Sequence, residues 1–326
     1  MAIMHRAAVF AVPDSGHQEK KCMSDISNKP RILISAAASP AAASLVQHLR
    51  SKGYYIIGMD ANEYAAPLGA AMCDDFVLSP MATDSGYLPF LAKQLDHCDL
   101  FLPFIDEELL AIVNAGAGRI QKSKIMLSAD QSMNICLDKL NFQTFCENND
   151  LAIAPRAIGV PAIYKPRNGR GGKGVMLVDD EAVFALLSAK EQGILQQQLK
   201  GVEYTVDCLF GKDSALLSAV ARQRLLAAGV STIGRIDQNP QVLELVTAVS
   251  KKLNFRGLVN IQIMLTDAGP KLIEINPRLS GSLMFTILAG ADLADAAIRL
   301  WLNDEQPPAF TLSEKTFCRY WSEYVY

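Results

Sequence analysis

The sequence predicts an α/β fold in two parts: a small parallel, Rossmann-like domain over residues 30–127, then a domain of mixed strands and helices over 128–326. Three observations carry this. From Pro30 to about Ser128, short apolar runs alternate with helix-length amphipathic segments, the pattern of a parallel sheet with crossover helices. Further on, a glycine-rich run, Gly169 to Gly174, lies between two strand-like segments. Last, Val259–Leu265 and Lys271–Asn276 alternate around Thr266-Asp267-Ala268-Gly269-Pro270, which reads as a β-hairpin.

In the first part, Arg31–Ser35 is a short apolar strand and Pro40–Lys52 a helix that Gly53 ends. Tyr54–Asp60, Asp75–Leu78 and Leu100–Phe104 continue as strands, and Glu107–Ala117 has helical apolar spacing. The first turn, Ser35-Ala36-Ala37-Ala38-Ser39-Pro40, lacks the glycines that let pyrophosphate approach the backbone, which argues against a dinucleotide site. Asp106 and Glu107 follow a strand end, where such sheets place ligands, and are candidates to hold a substrate amine.

The second part opens at Ser128-Ala129-Asp130-Gln131, a helix start, and Cys136–Asn148 reads as a helix carrying Asp138-Lys139. Ala162–Pro166 is a strand with Lys165 embedded, and Val175–Val178 a second strand across the glycine loop. That loop fits G-x-G-x-x-G, but strand–loop–strand is the wrong setting for a dinucleotide fold. Its Arg167, Arg170 and Lys173 suit a flap folded over phosphates. Gly193–Leu199 is a further strand, and Arg222 and Arg224, two apart, share one strand face and fit an anionic ligand or substrate carboxylate.

In the hairpin, pairing Leu265 with Lys271 sets Gln262 opposite Glu274 and Asn260 opposite Asn276, all on one face. Ile261, Ile263, Ile273 and Ile275 take the other. Oxygen-bearing side chains on a rigid hairpin suit a hard cation, Mg²⁺ beside phosphates. Pro277 cannot extend the ladder, so Arg278 leaves the sheet beside that cluster, as phosphoryl transfer needs.

Composition narrows the chemistry. The 326 residues, 50% apolar, can fill two cores. A net charge of −3 supplies no field to gather nucleic acid, and no apolar run approaches the roughly 20 residues of a membrane span. Seven cysteines without metal-ligand spacing read as reduced thiols of a cytoplasmic protein. The four histidines all precede Cys98, so chemistry in the later two-thirds runs on Lys, Arg, carboxylates and metal, which disfavours a Ser-His-Asp hydrolase. Residues 1–29 read as a disordered N-terminal extension.

Taken in order, Asp138-Lys139, Tyr164-Lys165-Pro166 with the glycine loop, Gln197 to Asp207, and Leu272 to Arg278 resemble the ATP-grasp superfamily, specifically its branch similar to the carbamoyl-phosphate synthetase large subunit. The resemblance spans about residues 30–305. It implies a Rossmann-like pre-ATP-grasp domain followed by a two-lobed ATP-grasp domain of α+β lobes that clamp ATP. Carried over by position, Lys139 and Lys165 contact the nucleotide phosphates beneath a loop containing Gly171 and Gly172. Gln197, Gln198 and Leu199 form the hinge facing adenine, Glu203 takes the ribose hydroxyls, and Gln262, Glu274 and Asn276 bind Mg²⁺, for which Mn²⁺ can substitute. Arg278, Lys165 and Asn276 are then the catalytic set, with Glu107, Arg222, Arg224, Ser280 and Gly281 on the substrate side. Gln197 and Gln262 stand where many relatives have acidic residues.

The activity implied is an ADP-forming carboxylate–amine ligase working through an acyl phosphate. Its partners are small-molecule carboxylate and amine substrates, without nucleic acid or membrane and with room for a homodimer. A carbamoyl-phosphate or carboxylase-type synthetase and a non-catalytic nucleotide-binding regulator are the alternatives.

Overall fold

In the computed structural model, residues 29–116, 118–169, 171–190, 192–228, 230–320, 322–323 and 325 are described. The expected N-terminal extension, apart from Lys29, and Arg170 of the glycine loop lie outside them.

Strand and helix alternate first: β1 (Arg31–Ser35), α1 (Ala43–Ser51), β2 (Tyr55–Asp60), α2 (Ala66–Met72), β3 (Asp75–Leu78), α3 (Tyr87–Leu95), β4 (Leu100–Leu102) and α4 (Asp106–Val113). The four strands pair in parallel in the order β3-β2-β1-β4. Strand order therefore reverses between β1 and β4, as in doubly wound sheets. Both faces are covered, so β1 reads as an unbroken apolar run: Leu33 faces α3 and α4, while Ile32 and Ile34 face α1. Ser35 ends β1 and ties the next loop down, accepting from Phe104 N at 2.8 Å and donating to Glu108 at 2.5 Å.

Next come α5 (Asp130–Cys136), α6 (Lys139–Asn148), β5 (Ala162–Pro166), β6 (Met176–Val178), α7 (Glu181–Ser188) and β7 (Gly193–Gln197), with the three strands in an antiparallel sheet of order β6-β5-β7. The helix expected to start at Ser128-Ala129-Asp130-Gln131 and continue through Cys136–Asn148 is instead two, α5 ending at Cys136 and α6 beginning at Lys139. Asp138 adopts extended backbone angles and caps α6, accepting from Leu140 N and Asn141 N at 2.9 and 3.1 Å.

The rest is β8 (Val202–Phe210), β9 (Leu216–Ala228), β10 (Val230–Ile236), α8 (Pro240–Ser250), β11 (Gly257–Thr266), β12 (Gly269–Asn276), α9 (Leu283–Leu288), α10 (Leu293–Asn303) and β13 (Thr316–Cys318). These six strands form one sheet, order β12-β11-β8-β9-β10-β13. One face carries Tyr204, Val206, Ile261, Ile263, Leu272 and Ile275, packed with Val242, Val246 and Val249 of α8.

The β11–β12 hairpin keeps the predicted pairs Asn260–Asn276 and Gln262–Glu274, but not Leu265–Lys271. The connection is only Asp267-Ala268, so Leu265 meets Pro270, and Ile273 is the unpaired residue of a bulge. Past the bulge the faces exchange: Leu272, not Ile273, enters the core, where it bridges Ile153.

Candidate active site

The second face of the six-stranded sheet is apolar at one end, where Leu209, Val220 and Leu258 join the cluster with α9 and α10, and polar along the rest. Glu203 and Asp207 on β8 alternate with the core residues Tyr204 and Val206. Across the ladders stand Arg222 and Arg224 of β9, then Asn260 and Gln262 of β11, then Glu274 and Asn276 of β12. The three-stranded sheet supplies the opposing wall. Gln197 ends β7, with its N–H on Pro155 O at 2.8 Å, and only residues 198–201 separate it from β8, so the expected hinge joins the two sheets. Gly201 passes so close to the Leu265 carbonyl that a Cβ has no room there.

Lys165 on β5 reaches into the space between the sheets. Burial holds its ammonium below the usual lysine range; nearby Lys139 adds to this, while Glu274 and Glu203 oppose it. One lysine thus senses a carboxylate on β12, a carboxylate on β8 and a cation on α6, which the sequence separates widely. Lys139 Nζ donates to Gly169 O at 2.8 Å. Arg167 is not the flap cation the sequence suggests: its Nε and Nη2 bind Asp138 Oδ2 at 2.8 and 2.6 Å, anchoring the base of the loop to the α6 cap. Beyond it Gly169, Gly171, Gly172 and Gly174 all take positive φ, a backbone path open to glycine, and Gly171 to Val175 are exposed.

At the hairpin, Asn276 Nδ2 donates to Glu274 Oε1 at 3.3 Å, and Arg278 Nη2 donates to Asn276 Oδ1 at 3.3 Å. Gln262 Oε1 accepts from Arg224 Nη1 at 3.2 Å; Arg224 also pairs with Glu203 and donates to Ser231 Oγ. Among the described residues no group of three or more His, Cys, Asp or Glu could hold a metal. The oxygen donors at the hairpin are one carboxylate and two amides, a set that suits Mg²⁺ only when phosphate oxygens and water complete the shell. That fits a cation carried in with a nucleotide.

Two substrate-side assignments are corrected. Arg222 is fully buried, its side chain 1% exposed against 2% for Asp207. Its guanidinium binds Asp207 Oδ2 through Nε and Nη2 (3.2 and 2.8 Å), Thr286 (3.0 Å), Ser282 (3.1 Å) and Ser280 (3.3 Å). All three guanidinium nitrogens already have protein partners and the group is shut off from solvent, so a substrate carboxylate does not reach it, and Ser280 is committed to the same network. Gly281 stays at the edge, its carbonyl accepting from Arg319 at 2.6 Å. Asp207 closes the segment Gln197 to Asp207 but has no role assigned to it there, and Thr286 and Ser282, which complete this network, carry no motif that marks them in the sequence.

Arg278 is not free in solvent either. Its Nε donates to Asp106 Oδ1 at 2.6 Å, and its Nη1 to Leu279 O at 3.1 Å. Burial alone would lower its pKa, but Asp106, with Glu274 and Glu107 behind it, keeps it above the ordinary arginine value. The acidic pair after β4 therefore faces the arginine that follows β12. A separate cavity of about 310 Å³, lined by Asp99, Ser123, Lys212, Arg256, Trp301 and Leu302, includes none of the predicted site residues.

The architecture matches that of ATP-grasp structures, a likeness of fold. Residues 189–320 match the family model described as ATP-grasp in the biosynthetic pathway with Ter operon. The chain is 23% identical over 284 residues to the arginine-specific carbamoyl phosphate synthase large chain of Geobacillus stearothermophilus, an alignment covering 78% of this chain and 27% of that one. It therefore spans about a quarter of that relative's length. Among solved structures it resembles the N5-carboxyaminoimidazole synthetase from Staphylococcus aureus complexed with ADP, with TM-score 0.68 and 16% identity over 87% of this chain and 80% of that one. The L-amino acid ligase from Bacillus licheniformis superposes with TM-score 0.64 and 16% identity, over 85% and 74% of the two chains. No helix among the described residues is long and apolar enough to cross a membrane.

Proposed function

We propose that the chain is an ATP-dependent, ADP-forming ligase that joins a small carboxylate to an amine through an acyl phosphate. The observation that carries this reading is the pair of hydrogen-bonded runs, Glu203, Arg224 and Gln262 and then Glu274, Asn276 and Arg278, on and beside adjoining strands, with Lys165 of the other sheet near Glu274 and Glu203. Cations for phosphates, a carboxylate for the ribose and an oxygen cluster for a cation thus meet in one cleft. Lys139, Lys165 and the amides around Gly171 and Gly172 hold the phosphates, Gln197 to Leu199 face the adenine, and Glu203 takes the ribose. Glu274, Asn276 and Gln262 would hold Mg²⁺, whose contribution when bound is to neutralise phosphate charge.

In the first step a substrate carboxylate oxygen attacks the γ-phosphorus; the bond to the β,γ-bridging oxygen breaks, and ADP leaves with that electron pair. Lys165 and Arg278 spread the charge of the moving phosphoryl group. In the second step the amine attacks the acyl carbon and phosphate departs. Neither step asks for imidazole; positioning and charge neutralisation suffice. Glu107, beside the buried Arg278, and Gly281 flank the substrate side.

A second reading makes bicarbonate the carboxylate, and the likeness to N5-carboxyaminoimidazole synthetase supports it. One assay separates them. ADP release is measured against a matrix of amino acids, small carboxylates and bicarbonate, with products identified by mass and the acyl phosphate trapped by hydroxylamine. Hydroxamate formed from an organic acid supports the ligase; ADP release that depends on bicarbonate alone supports the carboxylase. No acid-dependent ADP release refutes both.

A further inference from the structure

In sheets where strand order reverses, the crevice at the carboxyl ends of the strands beside the reversal is the usual ligand site. Here that crevice, at the ends of β1 and β4, is filled by the protein itself. Leu279 and Leu283 share one buried cluster with Ala37, Ala42 and Phe104. A Cβ on Gly281 would lie 3.3 Å from that of Ala41. The inserted segment begins at Arg278, and Asp106, at the start of α4, receives it through the 2.6 Å bond to Nε.

Both side chains are shielded, 11% and 14% exposed, so this is not a solvent-screened surface pair. The hydrogen bonds then run on without a break: Arg278 Nη2 to Asn276 Oδ1 at 3.3 Å, and Asn276 Nδ2 to Glu274 Oε1 at 3.3 Å. A carboxylate 172 residues away in sequence is thereby connected to the hairpin oxygens.

We propose that Asp106 is a positioning residue for phosphoryl transfer, fixing the Arg278 guanidinium across the junction between the parallel sheet and the hairpin and, through Asn276, the set of the oxygen cluster. This rests on the ligase reading. It assigns the parallel domain a part in the reaction centre, because the crevice that would bind a ligand seats a catalytic arginine instead. It also removes Asp106 as the holder of a substrate amine, since its Oδ1 is committed to Arg278. A carboxylate is required there because it cancels the charge of a desolvated guanidinium while accepting its hydrogen bond.

The test measures kcat, and KM for Mg·ATP, with the acid and amine found by the screen, on the full chain and its Asp106→Asn, Arg278→Lys and double variants, each checked for folding by circular dichroism. Asp106→Asn should lower kcat by about 10–100-fold with KM for ATP changed less than about threefold. In the Arg278→Lys background the same change should cost less than about threefold, because the group it positions is already gone. A purely structural role would multiply the two losses. Parent-like kcat in Asp106→Asn, or multiplied losses in the double variant, overturns the inference and leaves the ligase reading standing. A parent with no acid-dependent ATP turnover removes both. Should Asp106→Asn fail to fold, Asp106→Glu keeps the charge but displaces the guanidinium by a methylene; a lowered kcat supports the inference and a parent-like kcat overturns it.

Discussion

Arg222→Met leaves a carboxylate stranded in the core. Asp207 would keep only Thr286 Oγ1 at 2.6 Å and Asn260 Nδ2 at 3.3 Å, at 2% exposure, with no cation beside it. Breaking a buried pair from one side costs about 3–5 kcal/mol, since the remaining charge has neither water nor partner. At roughly 2–4 °C per kcal/mol this lowers the melting temperature by about 6–20 °C. Removing both charges relieves the stranded carboxylate, so Arg222→Met/Asp207→Leu should melt above Arg222→Met alone. Recovery will be partial, because Ser280, Ser282 and Thr286 still lose their shared partner. Thermal and urea unfolding followed by circular dichroism, on parent, singles and double, measures the coupling. A single variant melting within about 2 °C of the parent, or a double melting below both singles, would refute the buried network.

Glu274→Gln should stay folded and lose most turnover, since the only carboxylate of the hairpin donor set is removed at nearly constant volume; parent-like activity across a magnesium titration would move the metal site elsewhere. Hydrogen exchange should show Gly171 to Val175 protected by Mg·ATP while the Arg167 amide, which donates to Gln192 O at 3.1 Å, is protected with or without it; equal exchange at the glycines in both states would leave a plain hairpin tip. For pH, burial pushes Asp292 up but Lys52, the Asp295 N–H and His48 outweigh it, so its folded pKa lies below the unfolded value. Its contribution is complete above the unfolded pKa and lost as pH falls through the folded one, so Asp292→Asn should flatten the acid limb of a stability–pH profile below about pH 4. An unchanged acid limb would contradict the assignment. Lys52, raised chiefly by its hydrogen bond to Asp292, contributes below its unfolded pKa and loses this as pH rises past the folded one.

The polar face of the hairpin was legible because alternation fixes which side chains share a face, and Asn260, Gln262, Glu274 and Asn276 do. The register near the turn was not: a two-residue connection and a bulge at Ile273 leave the same residue pattern as a longer turn, and only packing of Leu272 beside Ile153 decides between them. Arg222 and Arg224 look alike in sequence, two residues apart on one strand. What separates them is Asp207 across the ladder and the hydroxyls of Ser280, Ser282 and Thr286, brought in by a segment about sixty residues later. Asp106 was visible as a strand-end carboxylate, and its partner Arg278 as a cation leaving the hairpin. Their pairing is tertiary, and no periodicity encodes a contact over that separation. Arg167 was misjudged for the same reason: a cation beside glycines suggests a phosphate flap until Asp138 is found both capping α6 and holding the arginine.

The central claim is that phosphate passes from ATP to a carboxylate in this cleft. The measurement that tests it most directly uses the acid found by the screen, labelled with ¹⁸O in its carboxylate, with Mg·ATP and the amine. One labelled oxygen should appear in the released phosphate alongside ADP, because the oxygen that attacks the γ-phosphorus leaves with it. Release of AMP and pyrophosphate, or phosphate free of label, would contradict it.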